Sequence, residues 1–233
     1  MTTIAIISDI HANLSALRAV LADIHNHKIT KIFSLGDLVG YYTEPIPVIH
    51  LILARCEVVI KGNHDQYAAL GEVPSHYRSV SQSSLEFATN GLTITERKIL
   101  HGLPMMHTIH LDDHKAMMIH GGPEYPLDQY IYPEDEDDIQ STFDFMDLID
   151  LDTLFLGHTH IPFLREQNNR IICNPGSVGQ PRDGDSRASY VLFDMKFLKS
   201  KIQRVSYNPE QTIAGIKKHH LSKELAERLL VGR

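Results

Sequence analysis

Short apolar runs that end in polar, glycine-containing loops recur along the first half of the chain. The isoleucine-rich run Thr3–Ile7 is typical of a strand buried on both faces, and similar runs cover residues 31–35 and 57–60. Between these runs, apolar residues recur at helical spacing after the capping residue type Asn13, and again over Pro45–Arg55. This alternation predicts βαβ units that feed a largely parallel sheet.

The second half of the chain predicts a mixture of helices and strands. The predicted elements are, in chain order, helices over 81–90 and 95–101, a hairpin of strands 105–111 and 115–120 turning at Asp112 and Asp113, a strand over 153–156, two strands that bracket Asn168 and Asn169, and a hairpin of strands 190–194 and 201–207. Asn208 and Pro209 predict the start of a helix, and a last helix carries Leu221, Leu225 and Leu229 on one face. Because no repeat or linker interrupts the chain, we expect one domain over residues 1–233.

The segment that follows the first predicted hairpin ends in an acidic run that has two interpretations. Residues 121–133 are rich in Pro, Gly and Tyr and predict a loop, and the acidic run 134–138 follows it. Carboxylates complement the positive end of a helix dipole, so the run fits the start of a helix. It also fits an acidic rim beside a binding pocket, which would select against polyanions.

Composition narrows the class of protein. Lys plus Arg number 22 and Asp plus Glu 29, and the resulting net charge of -7 argues against a stable nucleic-acid complex. The segment before Asp9 has no basic region, and no apolar run is long enough to cross a bilayer, so we expect no membrane association. Cys56 and Cys173 form no C-x-x-C pair, which favours a reducing cytoplasm. Self-association into a homo-oligomer stays open.

Five short segments that directly follow predicted strands carry the candidate chemistry. They are Asp9-x-His11, Gly36-Asp37, Gly62-Asn63-His64-Asp65, His120-Gly121-Gly122 and Gly157-His158-x-His160. Ligands of open α/β sheets bind at the carboxyl ends of the strands, so these loops are expected to meet at one edge. Mixed oxygen and nitrogen donors suit divalent transition metals, and there are more candidate ligands than one ion uses. The set therefore predicts two metal ions about 3.5–4 Å apart.

With these motifs in this order, the chain resembles the calcineurin-like metallophosphoesterase superfamily, in particular its small prokaryotic single-domain members. The resemblance runs from Ser8-Asp9-Ile10-His11 to Asn174-Pro175-Gly176-Ser177 and includes residues 179–185. It implies an α/β fold, a four-layer αββα sandwich of two mixed β-sheets flanked by helices, with the metal site at the C-terminal ends of the strands. It also implies two divalent metal ions as cofactors, manganese first, with iron, zinc or nickel as alternatives.

The resemblance also implies a role for each matching residue. One ion would be held by Asp9, His11, Asp37 and His160, and the other by Asp37, Asn63, His120 and His158, with Asp37 bridging. His64 would contact the phosphate and protonate the leaving oxygen, and Asp65 would orient His64. Further contacts to the substrate are expected from Asn13, Asn63 and the backbone near Gly121.

One departure from the family pattern bears on the substrate. Phosphoprotein phosphatases of the superfamily carry an aspartate and an arginine where this chain has Gly40 and Tyr41. We therefore expect hydrolysis of a small phosphodiester or nucleotide by metal-activated hydroxide, rather than protein phosphatase activity. Arg182 or Arg187 would supply positive charge to the site, or would form salt bridges with neighbouring aspartates. Phosphomonoester hydrolysis and a non-catalytic metal-binding scaffold are the alternatives.

Overall fold

Ten strands and eight helices make up the part of the chain that the computed structural model describes, residues 3–75, 77–111 and 114–233. The strands are β1 (Thr3–Ile7), β2 (Ile32–Ser34), β3 (Val58–Val59), β4 (Met106–Leu111), β5 (His114–Ile119), β6 (Thr153–Phe155), β7 (Phe163–Gln167), β8 (Arg170–Asn174), β9 (Ala188–Asp194) and β10 (Lys199–Val205). The helices are α1 (Leu14–Asn26), α2 (Pro45–Arg55), α3 (Asn63–Leu70), α4 (Ser79–Gly91), α5 (Ile94–Gly102), α6 (Glu136–Leu148), α7 (Glu210–Lys218) and α8 (Lys223–Val231). None of these helices is long and apolar enough to span a bilayer.

The strands form two mixed five-stranded sheets. The first has the order β10-β9-β1-β2-β3, in which β1, β2 and β3 are parallel and β9 runs antiparallel to β1. The second has the order β4-β5-β6-β8-β7, in which β5, β6 and β8 are parallel. Parallel strands end at the same edge, so the loops after β1, β2, β3, β5 and β6 meet where the sheets face each other.

Three apolar layers separate four layers of structure. Alternate residues of β1 point to opposite faces: Ile6 packs between the sheets with Phe155 of β6, whereas Ile7 packs outward with Leu17 of α1. The outer face of the second sheet packs against Phe143 of α6. The order helix, sheet, sheet, helix confirms the predicted four-layer sandwich.

Several local predictions can be compared with the described residues. Asn168 and Asn169, both with positive φ, form the turn between β7 and β8 as expected. The predicted turn residues Asp112 and Asp113 lie outside the described residues, and the strands on either side pair antiparallel. The acidic run starts α6, with Asp135 accepting a hydrogen bond from the backbone N–H of Asp138 as the N-cap. The prediction of a helix start there is confirmed.

Three helices differ from the sequence-based predictions. The sequence pattern does not predict helix α3, which spans Asn63–Leu70, because these residues carry no apolar repeat at helical spacing. Helix α7 begins at Glu210, one residue after the predicted start, and the side chain of Asn208 accepts a hydrogen bond from its backbone N–H. Helix α8 begins at Lys223, so Leu221 precedes it, while Leu225 and Leu229 are buried on one face as predicted.

Candidate metal centre

The seven predicted ligands converge at the edge where the parallel strands end. Asp9 and His11 follow β1, Asp37 follows β2, Asn63 follows β3, His120 follows β5, and His158 and His160 follow β6. All seven side chains are buried. Residues that are 151 positions apart in the chain therefore share one site, as the topology predicts.

Five of these ligands have a left-handed backbone. The φ angles are 54° at Asp9, 49° at His11, 52° at Asp37, 66° at His158 and 62° at His160. Non-glycine residues adopt this region rarely, and each instance costs on the order of 1–3 kcal/mol. Such strain persists where the surrounding structure enforces it, and here it turns the side chains toward a common point.

One group of ligand atoms comprises Asp9, His11 and His160. Nε2 of His160 lies 3.3 Å from Oδ1 of Asp9 and 3.1 Å from Nε2 of His11. Metal–ligand bonds of about 2.0–2.2 Å, at tetrahedral or octahedral angles, place neighbouring ligand atoms roughly 3.0–3.5 Å apart. The spacing of these atoms fits a shared cation.

A second group comprises Asp37, Asn63, His120 and His158. Nε2 of His120 lies 3.1 Å from Oδ1 of Asn63 and 3.4 Å from Oδ2 of Asp37. A ring nitrogen of His158 lies within 4.8 Å of the ligand atoms of Asp37 and His120. The same Oδ2 of Asp37 lies 3.5 Å from Nε2 of His11 in the first group, so Asp37 connects the two groups.

Backbone carbonyls fix the tautomers of three ligand histidines. Nδ1 of His11 lies 3.0 Å from the carbonyl of Val39, and Nδ1 of His120 lies 2.9 Å from the carbonyl of Leu35. Nδ1 of His160 lies 2.6 Å from the carbonyl oxygen of Gln180. A carbonyl oxygen only accepts, so each Nδ1 carries a hydrogen and each Nε2 points into the site, where a cation could take its lone pair.

The lone pairs in the site therefore face one another. Nε2 of His11 faces Nε2 of His160, and Nε2 of His120 faces the side-chain oxygen of Asn63. In addition, Oδ1 of Asp9 and Nε2 of His158 are buried without a hydrogen-bond partner among the described residues. These buried atoms face one another at a cost unless a proton or a cation lies between them, so this donor set fits divalent metal ions.

The pKa shifts of the candidate ligands also suit divalent metal ions. Burial alone would raise the pKa of Asp37, but His120 and His64 hold it well below its usual range. Burial lowers the pKa of His158 to about 3, which leaves the ring neutral. Burial also lowers the pKa of His120, but Asp37 outweighs it and raises that pKa to about 10. The carboxylates thus favour positive charge at the centre of the site, which a metal ion supplies in place of a proton.

His64 lies beside the ligands rather than among them. The ring lines the adjoining cavity, and one of its nitrogens lies within 4.8 Å of ligand atoms of His11 and Asp37. Its Nδ1 is buried without a hydrogen-bond partner among the described residues and faces Gly40, where an added Cβ would lie 2.3 Å away. Burial lowers the pKa of His64 to about 4.

Among the described residues, the carboxylate of Asp65 forms no hydrogen bond with His64, so the predicted orienting contact is not found. One carboxylate oxygen accepts hydrogen bonds from the backbone N–H groups of Leu38 (2.9 Å) and Val39 (3.3 Å), and the other accepts from Gly62 (3.1 Å). Both residues belong to the first turn of α3, where adjacent side chains point in different directions. Asp65 therefore fastens the loop that carries Asp37 to the start of α3.

Two residues predicted to contact the substrate have structural roles. Asn13 caps α1 through the backbone N–H of Ala16, and its side chain also bonds Gly179, Tyr207 and Thr212. The backbone N–H of Gly121 donates to the carbonyl of Pro126 at 2.7 Å. Neither residue lines the cavity at the metal site, so the structure gives no support to a contact with substrate at either position.

A cavity of about 570 Å³ opens over the ligands. Arg182 lies on its wall, where its guanidinium donates to the hydroxyl of Tyr41 (3.0 Å) and to the side-chain oxygen of Gln180 (3.0 Å). Arg187 instead forms an exposed salt bridge with Asp185 at 2.6 Å. Of the two arginines left open by the sequence, Arg182 faces the site and Arg187 does not line it.

Tyrosines around this cavity were not anticipated from the sequence. The ring of Tyr41 lies 4.9 Å from that of His64, and the ring of Tyr130 stacks on His158 at 3.8 Å. The amide nitrogen of Asn63 donates a hydrogen bond to the hydroxyl of Tyr77, which leaves the amide oxygen to face His120. Tyr77 and Tyr130 thus orient two of the candidate ligands.

Comparison with known proteins identifies the family. The profile of the calcineurin-like phosphoesterase superfamily domain matches residues 2–197. An uncharacterised protein of Methanocaldococcus jannaschii is 37% identical over 247 residues, which cover 99% of this chain and 98% of that protein. A metallophosphoesterase structure from Sphaerobacter thermophilus shares 31% identity and a TM-score of 0.84, covering 100% of this chain and 99% of that chain. A hypothetical protein from Pyrococcus horikoshii OT3 has the same fold, with a TM-score of 0.90 at 23% identity, covering 100% of this chain and 99% of that chain.

The superfamily uses divalent metals, which the buried histidine and aspartate groups suit. The chain therefore belongs to the calcineurin-like phosphoesterase superfamily.

Proposed function

We propose that this protein hydrolyses a phosphodiester or a nucleotide phosphoester with the help of two divalent metal ions. The observation that carries the proposal is the position of Oδ2 of Asp37, 3.5 Å from Nε2 of His11 and 3.4 Å from Nε2 of His120. These two imidazoles belong to different ligand groups, which supports a role for this carboxylate oxygen in bridging two cations. Two-metal sites of this kind serve in-line displacement at phosphorus.

Each ion has a complete set of candidate ligands. The first set is Asp9, His11, Asp37 and His160, and the second is Asp37, Asn63, His120 and His158. When bound, such ions lower the pKa of water to about 7 and offset negative charge on the phosphoryl group. The family resemblance makes manganese the first expectation, and the imidazole-rich donor set also suits iron, zinc or nickel.

His64 is the residue we assign to the phosphate and the leaving oxygen. Its ring lines the cavity beside both ligand groups. Because Nδ1 packs against Gly40, the other ring nitrogen is the one available to a substrate. A phosphate in the cavity favours the protonated imidazole, since opposite charges stabilise each other at short range. Proton transfer of this kind contributes about 10²–10⁴-fold to a rate.

The preference for a small phosphoester over a phosphoprotein follows from the loop after β2. Gly40 and Tyr41 replace the aspartate and arginine that the resemblance to phosphoprotein phosphatases would require, and Gly40 packs directly on His64. Arg182 reaches the cavity from another segment and lies over the ring of Tyr41, 5.6 Å from its centroid. Positive charge is thus supplied to the cavity from a different direction, which supports a different substrate class.

The proposal is tested by activity and metal content together. Purified protein loaded with Mn²⁺ is expected to hydrolyse bis(p-nitrophenyl) phosphate, with Fe²⁺, Zn²⁺ and Ni²⁺ assayed in parallel. Inactivity with all four ions would refute hydrolysis. Asp37→Asn is expected to lower the occupancy of both metals, measured by inductively coupled plasma mass spectrometry, whereas the exposed control Asp144→Asn retains two equivalents. Two equivalents in Asp37→Asn would refute the bridging role.

A further inference from the structure

Four arginines lie on the wall of the cavity over the metal centre. They are Arg78, Arg182, Arg228 and Arg233. They come from three distant parts of the chain: the N-cap position of α4, the loop between β8 and β9, and α8 with the residues after it. The chain as a whole carries a net charge of -7, so this cluster of cations departs from the general character of the surface.

Most of this positive charge is not neutralised by the protein. Arg228 pairs with Glu224, whereas Arg78, Arg182 and Arg233 have no carboxylate within ion-pair distance among the described residues. Arg182 is half-buried, and its hydrogen bonds go to the uncharged side chains of Tyr41 and Gln180. Guanidinium groups without a carboxylate partner remain available for charge-assisted hydrogen bonds to phosphate oxygens.

The segment that carries Arg233 is fixed in place. Gly232 ends α8 in the left-handed conformation (φ 69°), and its carbonyl accepts a hydrogen bond from the backbone N–H of Gly184 at 2.8 Å. The contact is close, because a Cβ on Gly232 would lie 2.6 Å from the carbonyl carbon of Asp185. This docking holds the backbone of Arg233 at the cavity wall, so less entropy is lost when its side chain binds a ligand.

The size of the cavity and the position of the arginines indicate more than one anionic group. Four of the candidate metal ligands, Asp37, Asn63, His158 and His160, lie on the cavity wall, and the ions they would hold would bind the phosphoryl group that reacts. A volume of about 570 Å³ exceeds what a single phosphoryl group fills and is typical of sites for small organic ligands. We propose that the arginines bind a second phosphoryl group, so that the preferred substrate is a small ester carrying at least two phosphoryl groups. This inference rests on the proposed function and specifies its substrate.

A neighbouring acidic surface limits the length of the anion. Tyr130 lines the cavity, and its ring lies 5.7 Å from that of Tyr132. Tyr132 in turn adjoins the acidic residues 134–137. A long polyanion leaving the cavity on this side would meet these carboxylates, which favours a short polyphosphate over a nucleic acid.

The inference is tested by binding, which needs no turnover. Isothermal titration calorimetry with saturating Mn²⁺ compares adenosine monophosphate with α,β-methylene adenosine diphosphate, which differ by one phosphoryl group. The diphosphate analogue is expected to bind the wild type about tenfold or more tightly than the monophosphate. In Arg78→Gln/Arg233→Gln this ratio is expected to fall toward one. The control Arg55→Gln, an exposed arginine outside the cavity, is expected to keep the ratio of the wild type.

Three results would overturn the inference. They are equal affinities of the wild type for the two nucleotides, an unchanged ratio in the double variant, and equally tight, arginine-dependent binding of a ten-residue oligodeoxythymidylate. Failure of the proposed function is distinguishable from these results. A protein that binds the diphosphate analogue tightly but leaves bis(p-nitrophenyl) phosphate intact fails as a hydrolase, whereas one that cleaves the diester but shows no preference fails only here.

Discussion

Replacing Gly62 by alanine adds one methyl group beside the carboxylate of Asp37. The new Cβ would lie 2.1 Å from Oδ1 of Asp37 and 2.4 Å from its backbone nitrogen. Non-bonded heavy atoms make favourable contacts at about 3.5–4.0 Å, so one of the two segments must retreat by roughly 1 Å. The φ of Gly62 is -96°, which alanine adopts readily, so the effect is steric and is not caused by backbone strain.

This displacement acts on the oxygen that connects the two ligand groups. Metal sites tolerate deviations of about 0.2 Å in ligand distances, so a shift of Asp37 by several times that amount weakens both ions. A misplacement of about 1 Å at a reacting centre costs about 10²-fold in rate. We therefore expect Gly62→Ala to hold fewer than two metal equivalents and to lose about 100-fold in kcat/KM on bis(p-nitrophenyl) phosphate.

The assay combines metal analysis after gel filtration, steady-state kinetics with saturating Mn²⁺, and thermal unfolding to verify that the variant is folded. The matched control is Gly91→Ala at the end of α4, where nothing described lies within 4 Å of an added Cβ. Alanine there should leave activity unchanged and stabilise the helix by up to about 1 kcal/mol. Gly62→Ala with two metal equivalents and undiminished kcat/KM would refute the reasoning.

Three further predictions address separate parts of the molecule. His64→Ala should retain both metals but lower kcat by about 10²–10⁴-fold on esters with poor leaving groups, and unchanged turnover on such an ester would remove His64 from the mechanism. Asn13→Ala should lower the free energy of unfolding, measured in urea, by about 1–3 kcal/mol and should keep kcat/KM, because the variant loses a helix cap and buried hydrogen bonds. Unchanged stability with a reduced kcat/KM would instead support a contact between Asn13 and the substrate. Chelation by EDTA should abolish activity and leave the far-ultraviolet circular dichroism unchanged, and loss of that signal would contradict a pre-formed site.

The convergence of the candidate ligands at one edge could be predicted from sequence because two strong local patterns coincide. Apolar runs such as Thr3–Ile7 identify buried strands, and the polar residues directly after them are limited to the types that bind metals. Parallel strands end at one edge, so the topology brings these residues together without further information. The burial of all seven predicted ligands at that edge agrees with this expectation.

The roles of neighbouring residues were harder to predict, because they depend on direction rather than on residue type. Asp65 follows His64 in the chain, which suggested a carboxylate–histidine pair, but both lie in α3, where adjacent side chains diverge. The helix itself was missed because Asn63–Leu70 has no apolar repeat at helical spacing. Its first turn is set instead by the hydrogen bond between the carboxylate of Asp65 and the backbone of Gly62.

Contacts between distant segments left no signal in the sequence. The side chain of Asn13 accepts a hydrogen bond from Thr212, 199 residues later in the chain. Arg182 and Arg187 have similar local surroundings in the sequence, yet only Arg182 lines the cavity. Loop direction is decided by tertiary packing, so residue type and spacing left these alternatives open.

The hydrogen bonds from Nδ1 of His11, His120 and His160 to backbone carbonyls have a consequence for how the candidate site would take up metal ions. Since the protein backbone selects the tautomer and ring orientation of these ligands, their readiness to bind does not depend on the ion that arrives. A centre built in this way can exchange one divalent ion for another while the fold stays intact. Affinities for such ions follow a common order in most nitrogen and oxygen sites, so geometry, ligand type and metal availability, rather than raw affinity, would decide which ion such a site holds.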